Sequence, residues 1–195
     1  KKAVYLYQYS STALNNLGAI YLELDNNADA KTCLLRAVEI DPENSGALMN
    51  LANALVETGD ISEASQCILK CFQLTPQKKS LHTNSKNLLP AFVQNQLFEF
   101  SADIYKLLLT YSSLSINEHF NYAMCNYQIH RFNEAVKSFE IVLSANPKDA
   151  TALVNISKSY YFIGNVDKAI FYSDKLISEE INPAQGMSMK AQYLH

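Results

Sequence analysis

Two stretches decide the fold: STALNNLGAIYLELDNNADAKTCLLRAVEIDP at residues 11–42 and SGALMNLANALVETGDISEASQCILKCFQLTP at residues 45–76. Each ends in a proline, and 34 residues separate Pro42 from Pro76. Small and large apolar residues recur at the same offsets in both stretches, with the spacing of one helix face. The sequence therefore predicts an internal repeat of 34 residues, each copy made of two amphipathic helices.

Numbering each copy from 1 to 34 shows which positions repeat. The first copy has apolar, small and closing residues at positions 4, 7, 8, 11, 20, 24, 27 and 32, which are Leu14, Leu17, Gly18, Tyr21, Ala30, Leu34, Ala37 and Pro42. This pattern resembles the tetratricopeptide repeat. The resemblance implies an all-α fold, a right-handed superhelix (α-solenoid) of stacked antiparallel helix hairpins whose first helices line a concave groove.

The same numbering divides most of the chain into five copies. They span 11–44, 45–78, 82–115, 116–149 and 150–185, with 79–81 as an inserted linker, 1–10 as the end of a preceding repeat helix and 186–195 as the start of a further or capping helix. The third copy is degenerate, because it lacks the closing proline and Pro90 is expected to kink or break its first helix. In the fifth copy the closing residue, Pro183, arrives two positions late.

The amino-acid composition argues against several classes of binding partner. The 195 residues are 48% hydrophobic and carry a net charge of −3, so no excess of positive charge is available to neutralise phosphates. No apolar run approaches the roughly 18 residues of a membrane span. The five glycines form no phosphate-binding loop. We therefore expect no nucleic acid partner, no membrane partner and no nucleotide cofactor.

The cysteines and histidines give no pattern of a metal site or a catalytic site. Cys33, Cys67, Cys71 and Cys125 lack a second Cys or His pair at zinc spacing, so we expect structural thiols and no metal. Unpaired cysteines favour a reducing compartment, which predicts a cytoplasmic protein. No nucleophile shares a motif with any of the four histidines, so we expect no catalytic residue and no enzyme activity in this chain.

Position 6 is asparagine in all five copies: Asn16, Asn50, Asn87, Asn121 and Asn155. A carboxamide has one acceptor and two donors, so such a column can bond the backbone of an extended peptide. Within the family, the column resembles the groove of O-GlcNAc transferase, where asparagines hold the substrate backbone. The alternative is that each asparagine bonds the neighbouring helix or water.

Other first-helix positions change along the chain from polar to aromatic. The second copy contributes Asn53, whereas the fourth and fifth copies contribute Phe120, Met124, Tyr127 and Tyr161. Together with the asparagines, these residues are the predicted peptide-binding surface. The alternative for the aromatic residues is packing between adjacent helices.

The repeat pattern predicts a non-catalytic scaffold that binds a protein partner, as an extended peptide or a helix, in the concave groove. Two alternatives stay open at this point. The chain is a substrate-recruiting arm of a larger enzyme such as a glycosyltransferase, or it is a structural segment that self-associates through its end helices.

Overall fold

The computed structural model describes residues 10–194, which form eleven α-helices and no strand. The helices are α1 Ser11–Glu23, α2 Asn27–Ile40, α3 Ser45–Glu57, α4 Ile61–Leu74, α5 Lys79–Gln94, α6 Phe98–Tyr111, α7 Ile116–Gln128, α8 Phe132–Ala145, α9 Ala150–Phe162, α10 Val166–Ser178 and α11 Pro183–Tyr193. The all-α prediction is confirmed. The segment predicted as the end of a preceding helix, residues 1–10, lies outside the described residues except for Ser10.

Local signals start and stop the helices. Side chains at the helix N-termini accept backbone N–H groups that lack an intrahelical partner: Ser10 accepts from Ala13, and Asn44 accepts from Ala47. Pro42 follows the last residue of α2 by two positions, and a proline stands at the same distance after α4 and α8. These caps and stops are why the 34-residue pattern becomes pairs of short helices.

The turn inside each hairpin has one residue in the left-handed region. At position 15 of the repeat, Gly59 has φ 85° and Gly164 has φ 80°, as expected for glycine. The first, third and fourth copies place other residues there with φ between 55° and 64°, namely Asp25, Gln96 and His130. The turn geometry is therefore common to all five copies, although glycine occupies it in only two.

Small residues let the helices of a hairpin approach closely. A Cβ added at Gly18 would lie 2.5 Å from Cγ of Leu34, so α1 and α2 touch at this point. The alanines at position 20 of the other hairpins are fully buried, including Ala64 and Ala135. Replacing one with a large residue would overpack the site by about 1 to 3 kcal/mol.

The third copy differs from the prediction in two respects. Lys79–Leu81 are not a linker, because they form the first turn of α5. The helix also continues past Pro90 to Gln94, so the expected break is absent. Leu88, Leu89 and Phe92 are buried on either side of the proline, and their packing holds the helix together at this point.

The end of the fifth copy also differs. Pro183 does not close that copy, because it is the first residue of α11. Asn182 caps the helix by accepting the backbone N–H of Gln185, and proline at the first helical position leaves no donor unpaired. The helix predicted from Gly186 therefore begins three residues earlier.

The chain forms two compact units, Lys1–Asn95 and Gln96–His195. In the first, α1 to α4 form two hairpins, and α5 packs against α3 and α4. In the second, α7 to α10 form two hairpins between α6 and α11. The second unit has a contiguous core centred on fully buried residues, among them Phe139, Leu153, Ile156 and Leu176.

Candidate functional site

In the first unit, the predicted asparagines lie on α1, α3 and α5. Nδ2 of Asn50 donates to Oδ1 of Asn15 at 2.9 Å, which links the first helices of two adjacent repeats. The partner of Asn50 is thus the residue before Asn16, and Asn16 itself is exposed. Asn53 is half-buried one helical turn after Asn50.

The third asparagine of the column, Asn87, is exposed on α5. The next residue, Leu88, is buried, so Asn87 lies beside the buried face of the helix, on its exposed part. An exposed carboxamide is solvated in the free protein, and both its donors and its acceptor are open to a ligand. Asn16 and Asn87 are therefore the exposed members of the column.

In the second unit, Asn121 is half-buried on α7 and lies near the hydroxyl of Tyr105 on α6. Tyr105 is 1% exposed, and burial raises its pKa to about 12, although the nearby Asn121 side chain lowers it. Asn121 is therefore placed at the contact between α6 and α7.

Asn155 is also bonded within the second unit. Its Nδ2 donates to the backbone oxygen of Thr151 at 2.9 Å and to Sδ of Met124 at 3.5 Å. The residue is 9% exposed. Both amide hydrogens of Asn155 are thus engaged, one within α9 and one with α7.

The four large side chains predicted for the groove, Phe120, Met124, Tyr127 and Tyr161, are half-buried against the core of the second unit. Phe120 packs edge-on against Phe139 with ring centroids 6.2 Å apart. Tyr161 stacks on Tyr193 of α11 at 4.6 Å. These residues pack between adjacent helices and also keep part of their surface accessible.

Phe162, which the repeat pattern also places on this face, and Phe132, which it does not, extend this surface. Tyr193 is 7% exposed and supports Tyr161 from the interior. It follows Tyr161 by 32 residues, whereas Tyr161 follows Tyr127 by 34, so the repeat spacing does not mark it. Phe162 is 57% exposed, and its ring stacks on Phe132 at 4.7 Å. We call Tyr127, Phe132, Tyr161 and Phe162 the aromatic surface. Exposed ring faces stack on apolar, planar or cationic groups.

The buried cysteines are uncharged side chains that pack in the protein interior. Burial raises the pKa of Cys71 and that of Cys125 to about 12, which keeps both protonated at neutral pH. All four cysteines are free. Among residues 10–194, no three His, Cys, Asp or Glu side chains are placed to hold a metal ion. No helix of this range combines the length and hydropathy of a transmembrane segment.

One protein family matches part of the sequence. Residues 21–71 match the tetratricopeptide repeat family. No curated protein sequence matches the chain.

Several solved structures share the fold. YrrB, described as a tetratricopeptide repeat protein with an unusual peptide-binding site, is 19% identical, with a TM-score of 0.68 over 97% of this chain and 96% of its own. MamA AMB-1 is 18% identical, with a TM-score of 0.64 over 92% and 96%. A tetratricopeptide repeat protein from Parabacteroides merdae ATCC 43184 is 17% identical, with a TM-score of 0.53 over 94% and 70%. These likenesses confirm the α-solenoid fold of stacked helix hairpins.

Proposed function

We propose, from the repeat fold and from the match of residues 21–71 to the tetratricopeptide repeat family, that this chain is a non-catalytic protein-interaction module that binds an extended peptide or a partner helix through its first helices. One observation carries the proposal: within each unit, the first helices of consecutive repeats lie side by side. The Asn50–Asn15 hydrogen bond and the Tyr161–Tyr193 stack both join such neighbouring helices. An extended ligand crossing these helices would meet the same kind of group at regular intervals.

The two units offer different chemistry to such a ligand. The first unit offers exposed or half-buried carboxamides at Asn16, Asn53 and Asn87. The second unit offers the aromatic surface together with Phe120 and Met124. Carboxamides bond a backbone whatever its side chains, whereas aromatic rings select apolar or planar side chains. The first unit is thus proposed to hold a peptide backbone, and the second unit is proposed to select apolar or planar side chains of a peptide.

The peptide-binding site of YrrB supports this choice of ligand class by analogy of fold. The second candidate, a substrate-recruiting arm of a larger enzyme, uses the same surfaces for the same purpose and differs only in what the bound peptide then undergoes. We further propose a reducing, cytoplasmic location, because Cys71 and Cys125 are buried as free thiols.

Selection from a random peptide library displayed on phage tests the proposal, because such a selection requires no identified partner. We expect enrichment of related sequences, and binding of a synthesised consensus peptide measured by calorimetry. Replacing both Asn16 and Asn87 with alanine should weaken binding about 5-fold to 200-fold, since each hydrogen bond contributes about 0.5 to 1.5 kcal/mol. The melting temperature should not change, because both side chains are exposed.

The matched control is the double alanine variant of Gln73 and Asn133, which are exposed carboxamides on the second helices α4 and α8. This control should bind as the wild type does. Equal loss in both double variants would remove the asparagines from the site. A failure of the library to enrich any sequence would contradict the proposed function itself.

A further inference from the structure

A pocket of about 200 Å³ lies in the second unit, where the first turn of α7 meets the end of α8 and the loop before α9. Its walls contain both apolar and polar side chains. The lining residues are Ile116, Phe120 and Val142, and Asn117, Asn146 and Asp149. A pocket of this size holds a single side chain of a bound peptide.

The pocket is lined by positions of the repeat that also line a pocket in another copy. Its six lining residues occupy positions 1, 2, 5, 27, 31 and 34 of the fourth copy. A pocket of about 100 Å³ in the first unit is lined by residues at the same six positions of the second copy, Ser45, Gly46, Met49, Cys71, Thr75 and Lys78, with four neighbours. Two copies thus build the same kind of pocket and differ in the side chains that line it.

The two pockets differ in the charge of the residue at position 34. Asp149 stands in the pocket of the second unit, and Lys78 stands in that of the first. Oδ1 of Asp149 accepts the backbone N–H of Ala152 at 2.9 Å. None of the ion pairs among residues 10–194 involves Asp149, and the adjacent Lys148 pairs with Glu179 instead at 3.5 Å. The carboxylate is therefore not neutralised by a cation.

The helix ends around the pocket leave it favourable to a cation. The N-terminus of α7 is capped by Ser115 and Glu118, and Asp149 itself caps α9. The C-terminus of α8 ends at Ala145 beside the pocket, and the carbonyl groups of a helix C-terminus carry partial negative charge. Asn117 and Asn146 add two carboxamide oxygens that accept hydrogen bonds.

We infer that this pocket binds a lysine or arginine side chain of the peptide partner. The aliphatic stem of such a side chain packs on Phe120 and Val142, and its cationic end bonds the carboxylate of Asp149. The inference rests on the proposed function and adds a specificity determinant to it. The equivalent pocket of the first unit, with Lys78 in place of Asp149, does not accept a cation.

The test uses small probes instead of an unknown peptide. The ¹⁵N-labelled chain is titrated with N-acetyl-arginine amide and, separately, with N-acetyl-glutamate amide, and backbone amide shifts are followed by NMR. We expect the arginine probe to shift amides at 116–120 and 146–149, with millimolar affinity, and the glutamate probe to leave them unchanged. Shifts confined to other regions, or equal shifts with both probes, would overturn the inference.

Asp149→Asn is the decisive variant, because it removes the charge and keeps the cap. Asparagine already has this capping role at position 34 of the first copy, where Asn44 accepts from Ala47 at 3.0 Å. Binding of the arginine probe should weaken about 10-fold to 100-fold. Lys78→Gln, in the other pocket, should change nothing. Equal binding by Asp149→Asn and the wild type would refute the role of the carboxylate.

The probe titration and the peptide library distinguish a failure of the pocket inference from a failure of the proposed function. Library peptides that lack Lys and Arg and bind Asp149→Asn normally would overturn the pocket and leave the proposed function standing. A library without enrichment, together with arginine binding that depends on Asp149, would overturn the proposed function and leave a cation-binding pocket.

Discussion

The turn of each hairpin depends on one residue with a positive φ. Gly59 and Gly164 adopt this conformation without a Cβ clash, and an aspartate tolerates it because its short side chain bonds locally. Gln96, with φ 64°, has neither advantage. The third copy therefore holds a strained residue at a position where glycine stands in two other copies.

Gln96→Gly should stabilise the protein by about 0.5 to 1 kcal/mol, because the left-handed cost of a non-glycine residue exceeds the extra chain entropy that glycine loses. Urea unfolding followed by circular dichroism measures the gain. Asp25→Gly is the control and should gain less, since aspartate already tolerates φ 55°. A lower midpoint for Gln96→Gly than for the wild type would contradict the strain.

The asparagine column separates into residues that hold the protein together and residues that face solvent. Asn121→Ala should destabilise the chain by about 0.5 to 1.5 kcal/mol, because the polar contact between Asn121 and the hydroxyl of Tyr105 is lost. In combination with Tyr105→Phe the same change should cost less, since that contact is then already absent. Asn87→Ala should melt like the wild type. Thermal unfolding of the four variants decides whether Asn121 is structural.

Two buried thiols make stability depend on alkaline pH. Burial raises the pKa of Cys71 and Cys125 from 9.0 to about 12, so the folded state keeps protons that the unfolded state releases. Their contribution is complete below pH 9.0 and is lost as the pH rises towards 12. The expected slope is about 1.4 kcal/mol per pH unit for each thiol.

Urea unfolding at a series of pH values from just below 9.0 to about 12 measures this slope. Cys125→Ala should reduce it by about one proton, whatever its effect on absolute stability. An unchanged slope in that variant would assign the alkaline sensitivity to other groups, such as Tyr105.

At the scale of the helix, α5 is the least regular element. Proline inside a helix removes a backbone donor and costs about 3 kcal/mol relative to alanine. Pro90 is exposed, so its ring contributes little packing in return. Two buried hydroxyls of the third copy, those of Ser85 and Ser101, also lack a hydrogen-bond partner. The third copy thus combines three unfavourable features.

Hydrogen exchange should therefore be faster at residues 79–100 than in α3 or α9. Pro90→Ala should slow exchange in α5 and raise stability by about 1 to 3 kcal/mol, because it restores a donor and removes a steric clash. Thr83→Ala, at an exposed position of the same helix, is the control for a general gain in helix propensity. Uniform protection of all copies in the wild type would contradict a weak third repeat.

The helices whose first residues were predicted correctly from the sequence all follow a capping side chain. α1, α3, α7 and α9 all begin at the first residue of their copies, since a capping side chain precedes each one. α5 begins three residues early, and its N-cap Lys78 makes no side-chain bond, so no local signal marked the start. The start of α11 was placed three residues late for a related reason: a proline that ends helices elsewhere in the chain begins this one.

The candidate site was less predictable than the helices, because its contacts join distant residues. Sequence position made Asn16 and Asn50 equivalent, yet Asn50 bonds Asn15. The proximity of Asn121 to the hydroxyl of Tyr105 depends on how α6 and α7 are rotated against each other. A repeat pattern gives the face on which a side chain lies, and only the packed helices give its partner.

At the scale of the whole molecule, the chain has two compact units that contain different numbers of tyrosines, the residues that report on unfolding in the near-ultraviolet. Gln96–His195 contains eight of the twelve tyrosines, and the chain has no tryptophan. Near-ultraviolet circular dichroism therefore follows mainly the second unit, whereas the far-ultraviolet signal follows the helices of both. Repeats are coupled chiefly to their neighbours, so such units unfold separately when one link is weak.

We expect the near-ultraviolet midpoint in urea to lie above the far-ultraviolet midpoint, because the first unit includes the irregular helix α5. Pro90→Ala should bring the two midpoints together. Coincident midpoints in the wild type would mean that the chain unfolds as one cooperative system.

The hydrogen bonds of Asn155 have a consequence for the production of this protein. Asn155-Ile156-Ser157 is a sequon for N-linked glycosylation, and a glycan attaches to the same Nδ2 that donates to Thr151 and Met124. All three residues are buried within α9, so a sugar added to the unfolded chain would prevent this helix from packing. A secretory expression host would thus yield a modified chain that does not fold, and Asn155→Gln would prevent the modification while keeping an amide.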